Sequence, residues 1–179
     1  MSDTITTKWG TGGRMRTVSV LRTIAAAGDY AAEDVLSDSA TNGAGTAITF
    51  SKIAKTKGGA GYITQASILC STTALTPRLA LLLFKNVPTC ELDDNAANSA
   101  VLAADQANFI GQIDFPAMSA LGTGMSGTIA TTSTSGNLPI AFVCDNDDDS
   151  LYGVLVTRDA ITGESANMTV RINLTAECD

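Results

Sequence analysis

Three stretches of this chain carry residue types at spacings that could do chemistry. Asp145, Asp147 and Asp149 alternate within DNDDDS, as the oxygen ligands of a calcium loop do. Such a loop needs glycine where Ser150 stands and a bidentate glutamate where Val156 stands, and it lies between helices. Here the flanking runs are strand-like, so a solvated β-turn is the better reading and an irregular calcium site the alternative. Gly122, Gly124 and Gly127 spell G-x-G-x-x-G. A dinucleotide fingerprint requires a strand before it and a helix after it, and TIATTSTSGN has no helical character. The segment reads as a glycine-rich loop. Lys55 and Lys57 precede the glycines of KTKGGAG, whereas the lysine of a phosphate-binding loop follows its glycines into a helix. The order is reversed, which leaves a turn with two exposed lysines able to meet an acidic partner.

Catalytic constellations are missing. With no histidine in the chain, a serine triad of the usual kind cannot be assembled. The carboxylates fall in expected loops without evident pairing for acid–base work. Cys70, Cys90, Cys144 and Cys178 have no CxxC spacing, and cysteine zinc sites are built from such close pairs. Cys70 and Cys144 each end an apolar run, as buried free thiols do. The expectation is therefore a protein with no catalysis, no cofactor and no metal centre. Asn167-Met-Thr169 and Asn173-Leu-Thr175 match the glycosylation triplet, but both lie on an expected strand of a chain without a secretory signal pattern.

Size and charge narrow the class further. A chain of 179 residues suits one domain with a real core. Only 16% of residues are charged and 45% are apolar, with many Ser, Thr, Ala and Gly. That composition suits a surface that is polar but uncharged, or one covered by neighbours. Net charge is −7. Residues 1–85 carry nine Lys/Arg and five Asp/Glu, a balance of +4, whereas residues 86–179 carry two and thirteen, a balance of −11. Two readings follow: a docking surface of one sign, or charges that mix once the sheets fold. The acidic balance and sparse aromatics disfavour nucleic acid. The longest strongly apolar run, residues 79–84, is far too short for a membrane helix.

The elements that must position these residues are strands. Residues 17–23, 47–53, 62–71, 79–85, 109–114, 140–145, 151–158 and 168–175 read as eight strands, an all-β sandwich close to a jelly roll. The stretch 58–86 reads as a hairpin whose second arm, 79–84, is buried on both faces. Tyr62, Ala66, Ile68 and Cys70 share one expected face, Gln65 and Ser67 the other. Met168, Val170, Ile172 and Leu174 alternate inward, with Thr169, Arg171, Asn173 and Thr175 outward. Asp93 and Asp94 before an Ala-rich run predict a short helix over 95–104. Residues 24–38 read as loop, with one helical turn as the alternative, and 119–137 as a long loop or weak edge strands. Residues 1–16 form an expected extended arm with Lys8, Trp9, Arg14 and Arg16 among glycines, ahead of a single domain over 17–179.

Several segments resemble capsid decoration, or cement, proteins of tailed bacteriophages: DYAAEDVLSDS, KGGAGYITQASIL, LALLLFKNVPT, LDDNAANSAVLAAD and the closing YGVLVTRDAITGESANMTVRINL. The resemblance covers about two-thirds of the chain and its motifs are structural. It implies a non-enzymatic virion protein, made in the host cytoplasm and bound as a homotrimer to the outer surface of the major capsid protein. On that reading Lys8, Trp9, Arg14, Arg16, Lys55 and Lys57 are the expected capsid contacts, with Trp9 the principal anchor. The alternatives are a tail, neck or head-fibre component, or a carbohydrate-binding sandwich module.

Overall fold

The structure, a computed structural model, describes residues 4–9, 14–73, 75–133, 137–162 and 167–178; for 4–9 it describes the backbone alone. Eleven strands form two antiparallel sheets among these residues. In chain order they are β1 (Thr4–Trp9), β2 (Met15–Thr23), β3 (Ile48–Phe50), β4 (Ala60–Cys70), β5 (Leu79–Phe84), β6 (Phe109–Phe115), β7 (Ser119–Ala120), β8 (Ser126–Thr131), β9 (Ile140–Val143), β10 (Leu151–Thr157) and β11 (Thr169–Cys178). The larger sheet runs β1-β2-β11-β4-β8-β7, with β9 also on β4; the smaller runs β3-β10-β5-β6.

The order has a simple origin. β2 pairs with β11, β3 with β10, β4 with β8 and β9, and β5 with β6. The chain is thus one long antiparallel ribbon whose two arms pair from the ends inward, folded over itself into two sheets. That is the jelly roll. β8 and β9 run in the same direction along β4, one after the other, and act as a single interrupted strand.

Inward-facing apolar residues of both sheets meet in one core. Val18, Val20, Ile63, Ile68, Ile172 and Leu174 from the larger sheet pack with Phe50, Leu81, Leu83, Ile113 and Leu155 from the smaller. β5 is buried at every position. Its alternate residues Leu82 and Phe84 lie on the other face, with Val35, Cys90, Val154 and Val156, beneath the loops that precede β3 and follow β5. β11 alternates as its sequence requires, with Val170, Ile172 and Leu174 buried.

Four expectations are corrected. The stretch 58–86 is not a hairpin: β4 and β5 belong to opposite sheets. β5 is apolar on both sides and belongs at a sheet centre under a cap, whereas β4 keeps a half-polar face for the open side. Tyr62 does not share the face of Ala66; it is 54% exposed, and Ile63 is buried instead. The register of β4 on β11 slips by one residue between Gln65 and Ile63, and this bulge reverses the alternation. The helix over 95–104 does not form; only a 3-10 turn at Ala103–Asp105 is present. The acidic residues that would cap it are engaged elsewhere, as described below. Arg16 is not part of an arm but an inward-facing residue of β2, 2% exposed. The strand count also rises from eight to eleven, through β1, β7 and β8.

Candidate partner-binding surfaces

The residues expected to meet a partner collect at one end of the sandwich. β2 begins there at Met15, β4 at Ala60 and β10 at Leu151, and β9 and β11 end there at Val143 and Cys178. Cys178 ties the corner together. Its N–H donates to the Arg14 carbonyl at 2.7 Å, and its carbonyl accepts from Lys55 Nζ at 3.2 Å. Lys57 is exposed on the same turn as Lys55. Lys8 and Trp9 stand on β1 opposite Thr17 and Arg16. The structure therefore brings Arg14, Lys55 and Lys57 to one corner, with the backbone of β1 beside it, but it removes Arg16 from any surface. Even-numbered residues of β2 face inward, so Arg16 lies under the corner. Burial lowers its pKa, and Cys178 and Asp149 nearby act against that shift.

The acidic turn occupies the same corner. Gly58 N–H donates to the carbonyls of Asp145 and Asp148, each at 2.9 Å, and Cys144 N–H to the Gly59 carbonyl at 2.9 Å. The carboxylates serve the backbone. Asp148 accepts from Asp149 N–H, Ser150 N–H and the Tyr152 hydroxyl. Burial raises its pKa, but those hydrogen bonds outweigh burial and leave it below the usual carboxylate range. Asp145 Oδ1 accepts from Asp147 N–H, and Asp149 Oδ1 from Lys52 N–H. Among the described residues no three His, Cys, Asp or Glu side chains converge to hold a metal. The lysine turn and the acidic turn pack as neighbours, so charges from the two halves of the chain mix here. They do so again at Arg78–Asp159, 2.7 Å, and at Arg158 with Glu33. The glycine triplet 122–127 forms the β7–β8 turn and the start of β8, in keeping with a loop and no helix.

A second construction was not legible beforehand. DYAAEDVLSDS and LDDNAANSAVLAAD run side by side over the outer face of the smaller sheet. Val35 N–H donates to the Ala96 carbonyl, Asn95 N–H to Val35, and Asn98 N–H to Glu33, each at 2.9 Å. Two adjacent carboxylates fasten this cap. Asp93 accepts from the N–H groups of Gly43, Ala44 and Gly45, and the Gly45 and Gly43 amides hold its pKa below the usual range. Asp94 points the other way and accepts from Ser37 N–H at 2.8 Å, the Tyr30 hydroxyl at 2.9 Å and Ala27 N–H at 3.2 Å. Asp94 is 4% exposed, and burial pushes its pKa upward against those bonds. Arg22, 1% exposed, anchors the far side through Asp38, Thr46 and Ala47.

The outer face of the larger sheet is left open by the described residues. Ser19, Asn173 and Ser67 lie in one row across it, and Thr17, Thr175 and Gln65 in the next. Small polar groups bond within these rows: Asn173 to Ser67 at 2.9 Å, and Thr17 to Thr175 at 3.0 Å. No helix of the described residues is long and apolar enough to cross a membrane. No family model, no curated protein and no solved structure matches this chain.

Proposed function

We propose that this chain is a structural virion protein that binds the outer surface of a phage capsid and stabilises it, without catalysis. The observation that carries this reading is the meeting of DYAAEDVLSDS and LDDNAANSAVLAAD in one hydrogen-bonded cap. Two of the segments that resemble decoration proteins are thereby parts of one built unit, which supports reading them as a scaffold. A double sheet with a capped outer layer is rigid, and the jelly roll serves viral shells often. The contact surface in this proposal is the corner of Arg14, Lys55 and Lys57, with Lys8 and Trp9 on β1 beside it. Arg16, being buried, plays no direct part. The partner is the major capsid protein, met by an assembly of several copies of this chain, three of them in the resemblance.

The test is co-sedimentation of the purified protein with undecorated heads. Wild type is expected to saturate the heads and raise their melting temperature. Trp9→Ala is expected to bind with at least tenfold lower affinity, because a buried tryptophan anchor is worth about 2 kcal/mol or more. Full occupancy by Trp9→Ala would remove Trp9 from the contact, and wild type that stays in the supernatant would remove the capsid reading altogether.

A further inference from the structure

The open face of the larger sheet carries its outward residues in rows that the sheet register defines. β11 runs near its middle and carries, outward, Arg171, Asn173, Thr175 and Glu177. The sheet register gives each a row. Arg171 lies between Leu21 and Leu69; Asn173 between Ser19 and Ser67; Thr175 between Thr17 and Gln65; Glu177 between Met15 and Tyr62. The face therefore has two apolar bands, one at Arg171 and one at Glu177, with a polar ladder between them. Gly127 extends the Arg171 band, for it lies beneath the side chains of Leu69 and Leu121. Ala141 and Val143 extend the Glu177 band on β9.

Exposure marks this face as one that ordinary solvent-facing design would not leave. Met15, Tyr62 and Val143 are 54%, 54% and 58% exposed, and Ile129 beside Ser67 is 52% exposed. Arg171 and Glu177 are the only charged side chains that β2, β4, β8, β9 and β11 place on it, and Lys8 of the edge strand β1 stands in register with Thr17. Open sheet faces usually alternate apolar with charged or polar residues and carry lysines at their edges.

We infer that this face binds a second copy of the chain through a two-fold axis that crosses β11 near Leu174. Such an axis reverses position along β11 and keeps position across the sheet. It sets Glu177 of one copy against Arg171 of the other, twice, because a two-fold contact repeats every pair. It also lays the Met15–Tyr62 band of one copy on the Leu21–Leu69 band of the other. Thr175 meets Asn173 at the centre, where short side chains let the sheets approach. Like-charged copies at −7 each repel, and at this face the Arg171 and Glu177 charges of the two copies are crossed. The five lanes from β1 to β8 span roughly 24 Å and nine residues of strand roughly 30 Å, about 700 Å² per copy. A stable protein interface buries about 800 Å² per partner. Twisted sheets stack with their strands about 30° apart, which this arrangement accommodates.

The inference goes beyond capsid binding and holds without it. It also departs from the three copies of the resemblance, because a two-fold contact closes at two. Light scattering of the full chain alone tests it. Wild type is expected at twice the chain mass. Glu177→Arg places arginine against arginine at both crossed pairs and is expected to weaken the dimer at least about tenfold. Arg171→Glu does the same with carboxylates, and the exchanged double variant R171E/E177R is expected to restore the dimer. Restoration excludes misfolding as the cause. A wild-type mass of one or three chains at about 100 µM overturns the inference, as do single variants that dimerise like wild type or a double variant that stays weakened.

Discussion

Replacing Asp94 by alanine should loosen the cap over the smaller sheet more than any other single surface-loop change. The Asp94 carboxylate receives three donors, Ser37 N–H, Ala27 N–H and the Tyr30 hydroxyl, in a site where Asp94 is 4% and Tyr30 2% exposed. Asp94→Ala strands those donors where little water reaches them. Each lost hydrogen bond to a charged group costs about 1.5–3 kcal/mol, but burial of the charge offsets part of the sum. The net loss is expected at about 3–5 kcal/mol. Tyr30→Phe removes one donor and leaves the carboxylate its two amides, so about 1–2 kcal/mol is expected. The double variant should fall short of additivity by about 1 kcal/mol or more, because the two side chains share one bond. Urea unfolding followed by circular dichroism reads all four proteins, with the midpoint as the measure. A loss below about 1 kcal/mol for Asp94→Ala, or strict additivity with Tyr30→Phe, would refute the view that this carboxylate fastens the cap.

Other consequences follow from the same structure. Arg22→Met removes the buried cation that holds Asp38, Thr46 and Ala47, and should cost about 3–5 kcal/mol in urea unfolding; a near-neutral result would show that the loop is held by other means. Gly45→Ala would set a methyl group 1.9 Å from the Leu92 carbonyl oxygen and 2.7 Å from Asp93 Cα, both backbone. The loops must part, and the melting temperature should drop by about 5 °C or more. Stability should decline as pH falls below about 4. The Asp93 pKa is lowered by the Gly45 and Gly43 amides and that of Asp159 by Arg78, so their stabilisation is present above the normal carboxylate value and is lost as they take up protons. Asp94 is raised by burial and acts in the opposite sense, because its protonation favours the folded form. Asp93→Asn should therefore flatten the acid limb of the urea midpoint against pH, and Asp94→Asn should steepen it.

The sequence disclosed what depends on one strand at a time. β11 and β5 were legible because alternation in one and its absence in the other report directly which faces are covered. Partnership between strands was not. Glycines before β4 and a proline before β5 suggested a hairpin, yet which sheet each strand joins is decided by what covers its second face, and the covering loops are remote in sequence. The bulge at residues 63–65 carries no glycine or proline, so the reversal of Tyr62 left no mark. Asp93 and Asp94 had the residue type of helix caps, but the backbone amides they serve belong to residues 37 and 43–45, some fifty positions away. Arg16 had the setting of an arm residue because the glycines before it hid the start of β2. Arg171 was visible as a single outward residue, but Glu177 lies past the expected end of the last strand at 175, and only the register of β2, β11 and β4 shows the two as rows.

The most direct measurement for the central proposal is occupancy of purified, undecorated phage heads by the wild-type chain, imaged and counted. The proposal predicts density on the outer surface at one repeated symmetry position, saturating at a fixed ratio to the major capsid protein, with a higher head melting temperature. Heads that stay bare at saturating protein, or density confined to the neck or tail, would contradict it.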